Sequence, residues 1–344
     1  MNQDTKHTSF ETPFILESGD SLPAIEIAWK SWGVLNDRKD NVILVCHALT
    51  GHAAANEWFS GFFEKDGIID LDRDYVLCIN ALGSCYGSTG PSTTNPATGA
   101  FWQGGFPEIT IRDMVRFQQV LIDHLGITGI QLVIGGSMGG MVALEFALMD
   151  HRIQSVACIA MGAKHSPWAV GISHAQRMAI RADKTWNNGF YDPDRQPKEG
   201  IAAARAMAMI TYRTPENYYQ KFGRRLQSGK DVFEVESYLE YQGEKLGTRF
   251  DANTYITLSK AMDTHDVYRG REERVLHDLD IPVLVIGINS DLLYPIAEQS
   301  ELSKELSNST FVKIKSPYGH DAFLIEFEQI NKALTRFYAD SLNN

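Results

Sequence analysis

QLVIGGSMGGMVALEFAL, residues 131–148, decides the fold. It opens on a β-branched apolar run, Gln131 to Ile134, and closes on an apolar stretch with helical spacing. Between them Gly135-Gly136-Ser137-Met138-Gly139 satisfies G-x-S-x-G. The five letters alone are weak evidence. A strand directly before and a helix directly after are the context that gives the motif meaning. In such a turn the serine backbone is strained, and glycines are required where a Cβ would meet the neighbouring strand or helix. Ser137 then projects above a sheet, beside the positive end of the following helix, where a developing oxyanion is stabilised. Ser137 is therefore read as a nucleophile.

Outward from this turn, similar short apolar runs recur: Val42 to Cys46, Tyr75 to Ile79, Ser155 to Ala160, Pro282 to Gly287 and Phe311 to Ile314. Nearly continuous apolar strands alternating with helical stretches predict an α/β fold with a mostly parallel central sheet, covered on both faces. Thr110 to Leu125 is the clearest helix, with Thr110 as N-cap, Asp113 three positions on in a capping-box arrangement, and Gly126 as the stop. From Lys164 to Glu273 the strand runs vanish and Ala-, Met- and Arg-rich helical stretches such as Gly200 to Tyr212 replace them. The expected organisation is a core domain of residues 1–163 and 274–344 with an inserted helical lid of residues 164–273.

A serine hydroxyl needs a base, and in the α/β-hydrolase fold the chain order is Ser, then Asp or Glu, then His. Asp291, just past the run Pro282 to Gly287, and His320, past Phe311 to Ile314, fit that order. Both fall at carboxyl ends of late strands, the edge where open α/β sheets bind ligands. His165, His174 and His265 belong to the lid region, and His124 and His151 read as surface or helix-end residues. His47 follows an early strand in HALTGHA, where an oxyanion-hole loop is expected, with the backbone N–H groups of Leu49 and Met138 as the two donors.

A formal charge of -11 argues against broad nucleic-acid binding, which depends on Lys and Arg neutralising phosphates. The amino terminus lacks an apolar signal core, and no apolar run approaches the roughly 18–20 residues that cross a bilayer. These features predict a cytoplasmic protein that contacts no membrane. Cys46, Cys78, Cys85 and Cys158 form no C-x-x-C pair and are read as reduced thiols, and no metal site is expected.

Several segments together resemble the homoserine O-acetyltransferase family: HALTGHA (47–53), INALGSCYGSTGPSTTNPATG (79–99), FPEITIRDMVRFQQVLIDHLGI (106–127), IGGSMGGM (134–141), ARAMAMITYR (204–213), FGR (222–224) and YGHDAFL (318–324). The resemblance implies a triad of Ser137, Asp291 and His320, acetyl-CoA as donor, L-homoserine as acceptor on the route to methionine, no cofactor, and a homodimer. It also implies Arg205 and Asp321 as substrate contacts, which suits a zwitterion whose carboxylate and ammonium both need partners once out of water. Tyr212 and Arg213 stay open as lid candidates. Lys221, Arg224 and Arg225 stay divided between CoA phosphates and a solvated lid face. The same machinery with succinyl-CoA or L-serine, or plain ester hydrolysis, are the alternatives.

Overall fold

The computed structural model describes residues 4–341. Its eight-stranded sheet comprises β1 (Lys6–Phe10), β2 (Ile25–Trp32), β3 (Val42–Cys46), β4 (Tyr75–Ile79), β5 (Ile130–Gly136), β6 (Val156–Ile159), β7 (Val283–Ile288) and β8 (Ser309–Ile314), in the spatial order β1-β2-β4-β3-β5-β6-β7-β8. From β4 to β8 every neighbouring pair is parallel. β3 and β4 carry the limits expected from the sequence, and the other four expected strands differ at their ends by one or two residues.

The antiparallel pair β1 and β2 was not expected. Its chemistry explains the difference: Lys6–Phe10 is a polar, largely exposed edge, and Glu26 and Lys30 interrupt the apolar residues of β2. The inner strands give the opposite signal. All five residues of β3 and of β4 are buried, and each wholly buried aliphatic side chain contributes about 1.5–3 kcal/mol by leaving water.

Helix α1 (Ile111–His124) begins as the sequence predicts. Thr110 Oγ1 accepts from the Asp113 N–H, and Asp113 Oδ2 accepts from the Thr110 N–H at 3.1 Å, a cap worth about 1 kcal/mol. Gly126, at φ +69°, ends the helix. Helix α2 (Met138–Met149), which follows Ser137 directly, lies across β5, β6 and α1.

Between β6 and β7 the chain forms α3 (Pro167–Ala182), α4 (Lys198–Tyr212), α5 (Pro215–Phe222), α6 (Glu234–Gly247) and α7 (Ala252–Asp263). α4 packs against α3 and α6. The two ends of this segment meet as an antiparallel stem, where the His165 N–H donates to the His265 carbonyl at 2.8 Å and the Val267 N–H to that of Ala163 at 3.1 Å. Above the stem, buried Arg177 donates to Asp263 Oδ2 at 2.5 Å. Below it, buried Glu145 of α2 accepts from Arg271 Nη2 at 2.6 Å and from Arg112 Nε at 3.4 Å. Helix α2 is thus tied both to α1 and to the point where the helical segment rejoins the sheet.

After β7 come α8 (Ile296–Glu305) and, after β8, α9 (Phe327–Ser341). No described helix is long and apolar enough to cross a membrane. Cys46, Cys78 and Cys158 are buried free thiols, Cys85 is a partly buried one, and burial pushes all four upward in pKa.

Candidate active site

At the end of β5 the backbone turns through Ser137 at φ 56°, ψ −125°, a conformation that side-chain-bearing residues rarely adopt, and enters α2 at once. Two glycines make the turn possible through close approach. A Cβ on Gly135 would stand 2.2 Å from the Gly139 carbonyl carbon, and one on Gly139 would stand 2.1 Å from the Cys46 carbonyl oxygen. The strand, the turn and the first helical turn therefore touch backbone to backbone. Ser137 is 6% exposed.

Asp291 lies three residues past β7 and His320 in a short 3₁₀ turn, Gly319–Leu324, past β8. Asp291 Oδ1 accepts from the backbone N–H of Leu293 at 2.8 Å and of Tyr294 at 2.9 Å, which leaves Oδ2 aimed at His320 Nδ1, 2.7 Å away. An acceptor there makes Nδ1 the protonated nitrogen and frees Nε2 as the base. Ser290 Oγ donates to the Ser316 carbonyl at 2.5 Å and accepts from the Gly319 N–H at 3.1 Å, so the loops carrying acid and base are bonded to each other. The rings of Tyr212, Tyr294 and Phe323 pack on the His320 imidazole with centroids 5.3–5.4 Å away. Among the described residues no hydrogen bond joins Ser137 Oγ to His320 Nε2. Such contacts are often long before substrate binds.

The two expected oxyanion donors are free of other duties. The Met138 N–H begins α2, where helical N–H groups have no intrahelical acceptor. Leu49 lies in the loop after β3, and among the described residues its N–H meets no acceptor.

Arg205 projects from α4, with its guanidinium 5.7 Å from the centre of the Tyr212 ring, and forms no ion pair among the described residues. Asp321 is not solitary: Arg213 Nε stands 2.8 Å from its Oδ2. That contact is an ion pair without hydrogen-bond alignment, since the same Nε lacks a properly directed acceptor. Burial raises the Asp321 pKa, and Arg213, Arg205 and His320 oppose that rise. Arg213, left open by the sequence, is thereby the direct partner of Asp321, and Tyr212 is a wall against His320. The basic group at and just past the C-terminal end of α5 is engaged locally: Lys221 lies 4.2 Å from the centre of the Tyr238 ring, Arg224 5.2 Å from that of Phe233, and Arg225 Nε 2.9 Å from Glu234 Oε2.

The sequence reading missed Tyr294, which is wholly buried and holds Asp291 through its backbone while its ring packs on His320. The signal was present in Asp291-Leu292-Leu293-Tyr294, since an Asp that accepts from N–H groups two and three residues ahead is a local turn habit of that residue type.

A strained serine between strand and helix, followed in chain order by a hydrogen-bonded Asp–His pair on adjacent loops, is the arrangement found in serine-dependent enzymes of α/β-hydrolase type. Residues 41–327 match the family described as alpha/beta hydrolase fold. Over 337 residues the chain is 51% identical to the homoserine O-acetyltransferase of Chlorobium chlorochromatii, covering 96% of this chain and 94% of that one. The chain belongs to the homoserine O-acetyltransferase family. In structure it is similar to a homoserine O-acetyltransferase from Bacillus anthracis, at TM-score 0.89 and 24% identity over 98% of each chain. Esterase E22 is equally similar, at TM-score 0.89 and 24% identity over 97% of this chain and 100% of that one. Architecture alone therefore does not separate acyl transfer to an amino acid from transfer to water.

Proposed function

We propose that this protein moves the acetyl group of acetyl-CoA to the side-chain hydroxyl of L-homoserine through an acetyl-Ser137 intermediate, in methionine biosynthesis. The observation that carries the reading is the Asp291–His320 pair, 2.7 Å apart beside the Ser137 turn, in a chain 51% identical to a homoserine O-acetyltransferase. His320 Nε2 takes the Ser137 proton as Oγ attacks the thioester carbonyl; the carbon–sulfur bond breaks and the thiol leaves with that proton. His320 then takes the homoserine hydroxyl proton as that oxygen attacks the acetyl-enzyme, and returns it to Ser137. Leu49 and Met138 N–H groups bind the oxyanion in both halves, and Asp291 keeps the imidazole in its Nδ1–H form. The scheme uses no metal or redox cofactor.

Arg205 forks onto the homoserine carboxylate, and Asp321 accepts the ammonium through Oδ1, since Oδ2 faces Arg213. Residues 164–273 act as a lid over the sheet's catalytic edge, narrowing access so that the amino-acid hydroxyl outcompetes water. A homodimer joined through this lid, located in the cytoplasm, completes the proposal; exposed Met178 and Ile210 on the lid helices support that surface.

Mass spectrometry after mixing with acetyl-CoA alone tests the scheme. An acetyl adduct on Ser137, absent in Ser137→Ala and discharged by L-homoserine into O-acetylhomoserine, is expected. Discharge as fast in buffer as with homoserine would establish hydrolysis instead, and a clear preference for succinyl-CoA or L-serine would reassign donor or acceptor.

A further inference from the structure

His47 takes no part in the triad, yet it is buried at 3% exposure immediately after β3, in the loop that carries Leu49. Both ring nitrogens are engaged. Nε2 stands 2.9 Å from the backbone nitrogen of Ala81, and Nδ1 stands 2.9 Å from the carbonyl oxygen of Ala48. The Ala81 N–H can only donate, so Nε2 must be the lone-pair nitrogen and Nδ1 must carry the proton it gives to Ala48. Burial lowers the His47 pKa to about 4, which keeps the ring neutral, as one donor plus one acceptor requires.

The Ala48 carbonyl belongs to the same peptide unit as the Leu49 N–H. That unit is planar and trans, so its C=O and N–H point in opposite directions. Ala48 oxygen receives a second bond from the Gly51 N–H at 2.8 Å. With both lone-pair directions of the oxygen used, the peptide plane is held, and with it the direction of the Leu49 N–H. That N–H is the one polar group of the unit without an acceptor among the described residues.

We propose that His47 is a positioning residue for the oxyanion hole: its Nδ1–H grips the Ala48–Leu49 peptide so that the Leu49 N–H faces the carbonyl oxygen of the acyl group attacked by Ser137. The inference rests on the acetyl-transfer reading above and names a residue that this reading did not use. The competing role is that of a staple, in which only the bond to Ala81 matters, joining the loops after β3 and β4.

Two substitutions separate these roles. The amide nitrogen of His47→Asn sits where Nδ1 was and still donates to Ala48, while the amide oxygen of His47→Gln reaches the Nε2 position and still accepts from Ala81. Stopped-flow CoA release and homoserine-driven deacylation are measured for each, with acetyl-CoA affinity read on a Ser137→Ala background. His47→Gln is expected to slow both half-reactions by about 10–100-fold, with unchanged acetyl-CoA affinity, and His47→Asn to stay within about fivefold of wild type. Equal losses in the two variants, a wild-type rate in His47→Gln, or a change confined to acetyl-CoA affinity would overturn the proposal. Should neither variant fold, isotope-labelled histidine NMR on the intact protein still tests the grip: an Nδ1–H proton with a scalar coupling across its hydrogen bond to the Ala48 carbonyl is expected, and an Nε2–H tautomer or the absence of that coupling overturns the proposal. If wild type forms no acetyl-enzyme, the acetyl-transfer reading itself fails; acetylation without the predicted split refutes the His47 role alone.

Discussion

Replacing Gly139 by alanine tests whether the turn at Ser137 works as a backbone-to-backbone contact. The added Cβ would lie 2.1 Å from the Cys46 carbonyl oxygen and 2.8 Å from its carbon. A carbon–oxygen contact relaxes at about 3.3 Å, so the first turn of α2 and the end of β3 must separate by roughly 1.2 Å. Neither side has a flexible side chain to absorb this. The displacement reaches Ser137 and Met138 on one side and the His47–Leu49 loop on the other, so the proposed nucleophile and its Leu49 donor move apart. A misplacement of about 1 Å costs on the order of a hundredfold in rate, and overpacking costs about 1–3 kcal/mol of stability. Stopped-flow CoA release should therefore slow at least about a hundredfold, and thermal unfolding should shift down by several degrees. Gly171→Ala is the control: Gly171 lies in α3 with nothing within 4 Å of its Cβ position, and a helical Gly→Ala change there should stabilise by up to about 1 kcal/mol. A Gly139→Ala enzyme with the wild-type acetylation rate would refute the contact as the reason for glycine.

Acid should expose the burial of His47. Its folded pKa is depressed from 6.5 to about 4, so its stabilising contribution is complete above 6.5 and is lost as pH falls toward 4. From pH 7 to pH 5 that loss is about 2 kcal/mol, and urea midpoints at the two values should fall further in wild type than in His47→Asn; equal falls would contradict it. Arg213→Gln removes the ion pair that opposes the burial-driven rise of the Asp321 pKa, so Asp321 should protonate at higher pH. The expected result is a kcat/KM for homoserine that drops by about tenfold or more, most at the acidic end, with acetyl-enzyme formation unchanged; a loss in the acetyl-CoA half-reaction instead would move Arg213 away from acceptor binding.

Local chemistry decided how much could be read in advance. Thr110, Asp113 and Gly126 bracket α1 because capping needs side-chain oxygens and a left-handed stop at fixed offsets, which a sequence displays directly. β3 and β4 were legible because strands buried on both faces are apolar throughout. β1 was not, because an edge strand is stabilised by pairing with its neighbour rather than by its own pattern, and β2 was not, because Glu26 and Lys30 break its apolar run. The same division runs through the candidate site. Ser137, Asp291 and His320 fall at strand ends, so topology alone brings their loops to one edge, and there Asp291 and His320 meet. The Arg213–Asp321 pair joins the C-terminal end of α4 to the turn after β8, across 108 positions of sequence, and no periodicity encodes that meeting.

That difference in origin bears on what the acyl group is given to. The groups proposed to make and break the acyl-serine stand on the sheet edge, on a scaffold equally similar to an esterase and to a homoserine O-acetyltransferase. Arg205, Tyr212 and Arg213 all come from α4 or its C-terminal cap, inside the segment between β6 and β7. A carboxylate and an ammonium buried beside His320 without partners would each cost several kcal/mol, whereas a water molecule needs no such partners. An unpaired guanidinium on α4 and, next to His320, a carboxylate whose Arg213 partner also comes from α4's C-terminal cap are what an amino-acid acceptor, unlike water, would use. On the proposed reading, the choice between water and amino acid resides in residues that the Ser137 turn does not contain. Substitutions on α4 should alter the recipient while leaving acetylation of Ser137 intact.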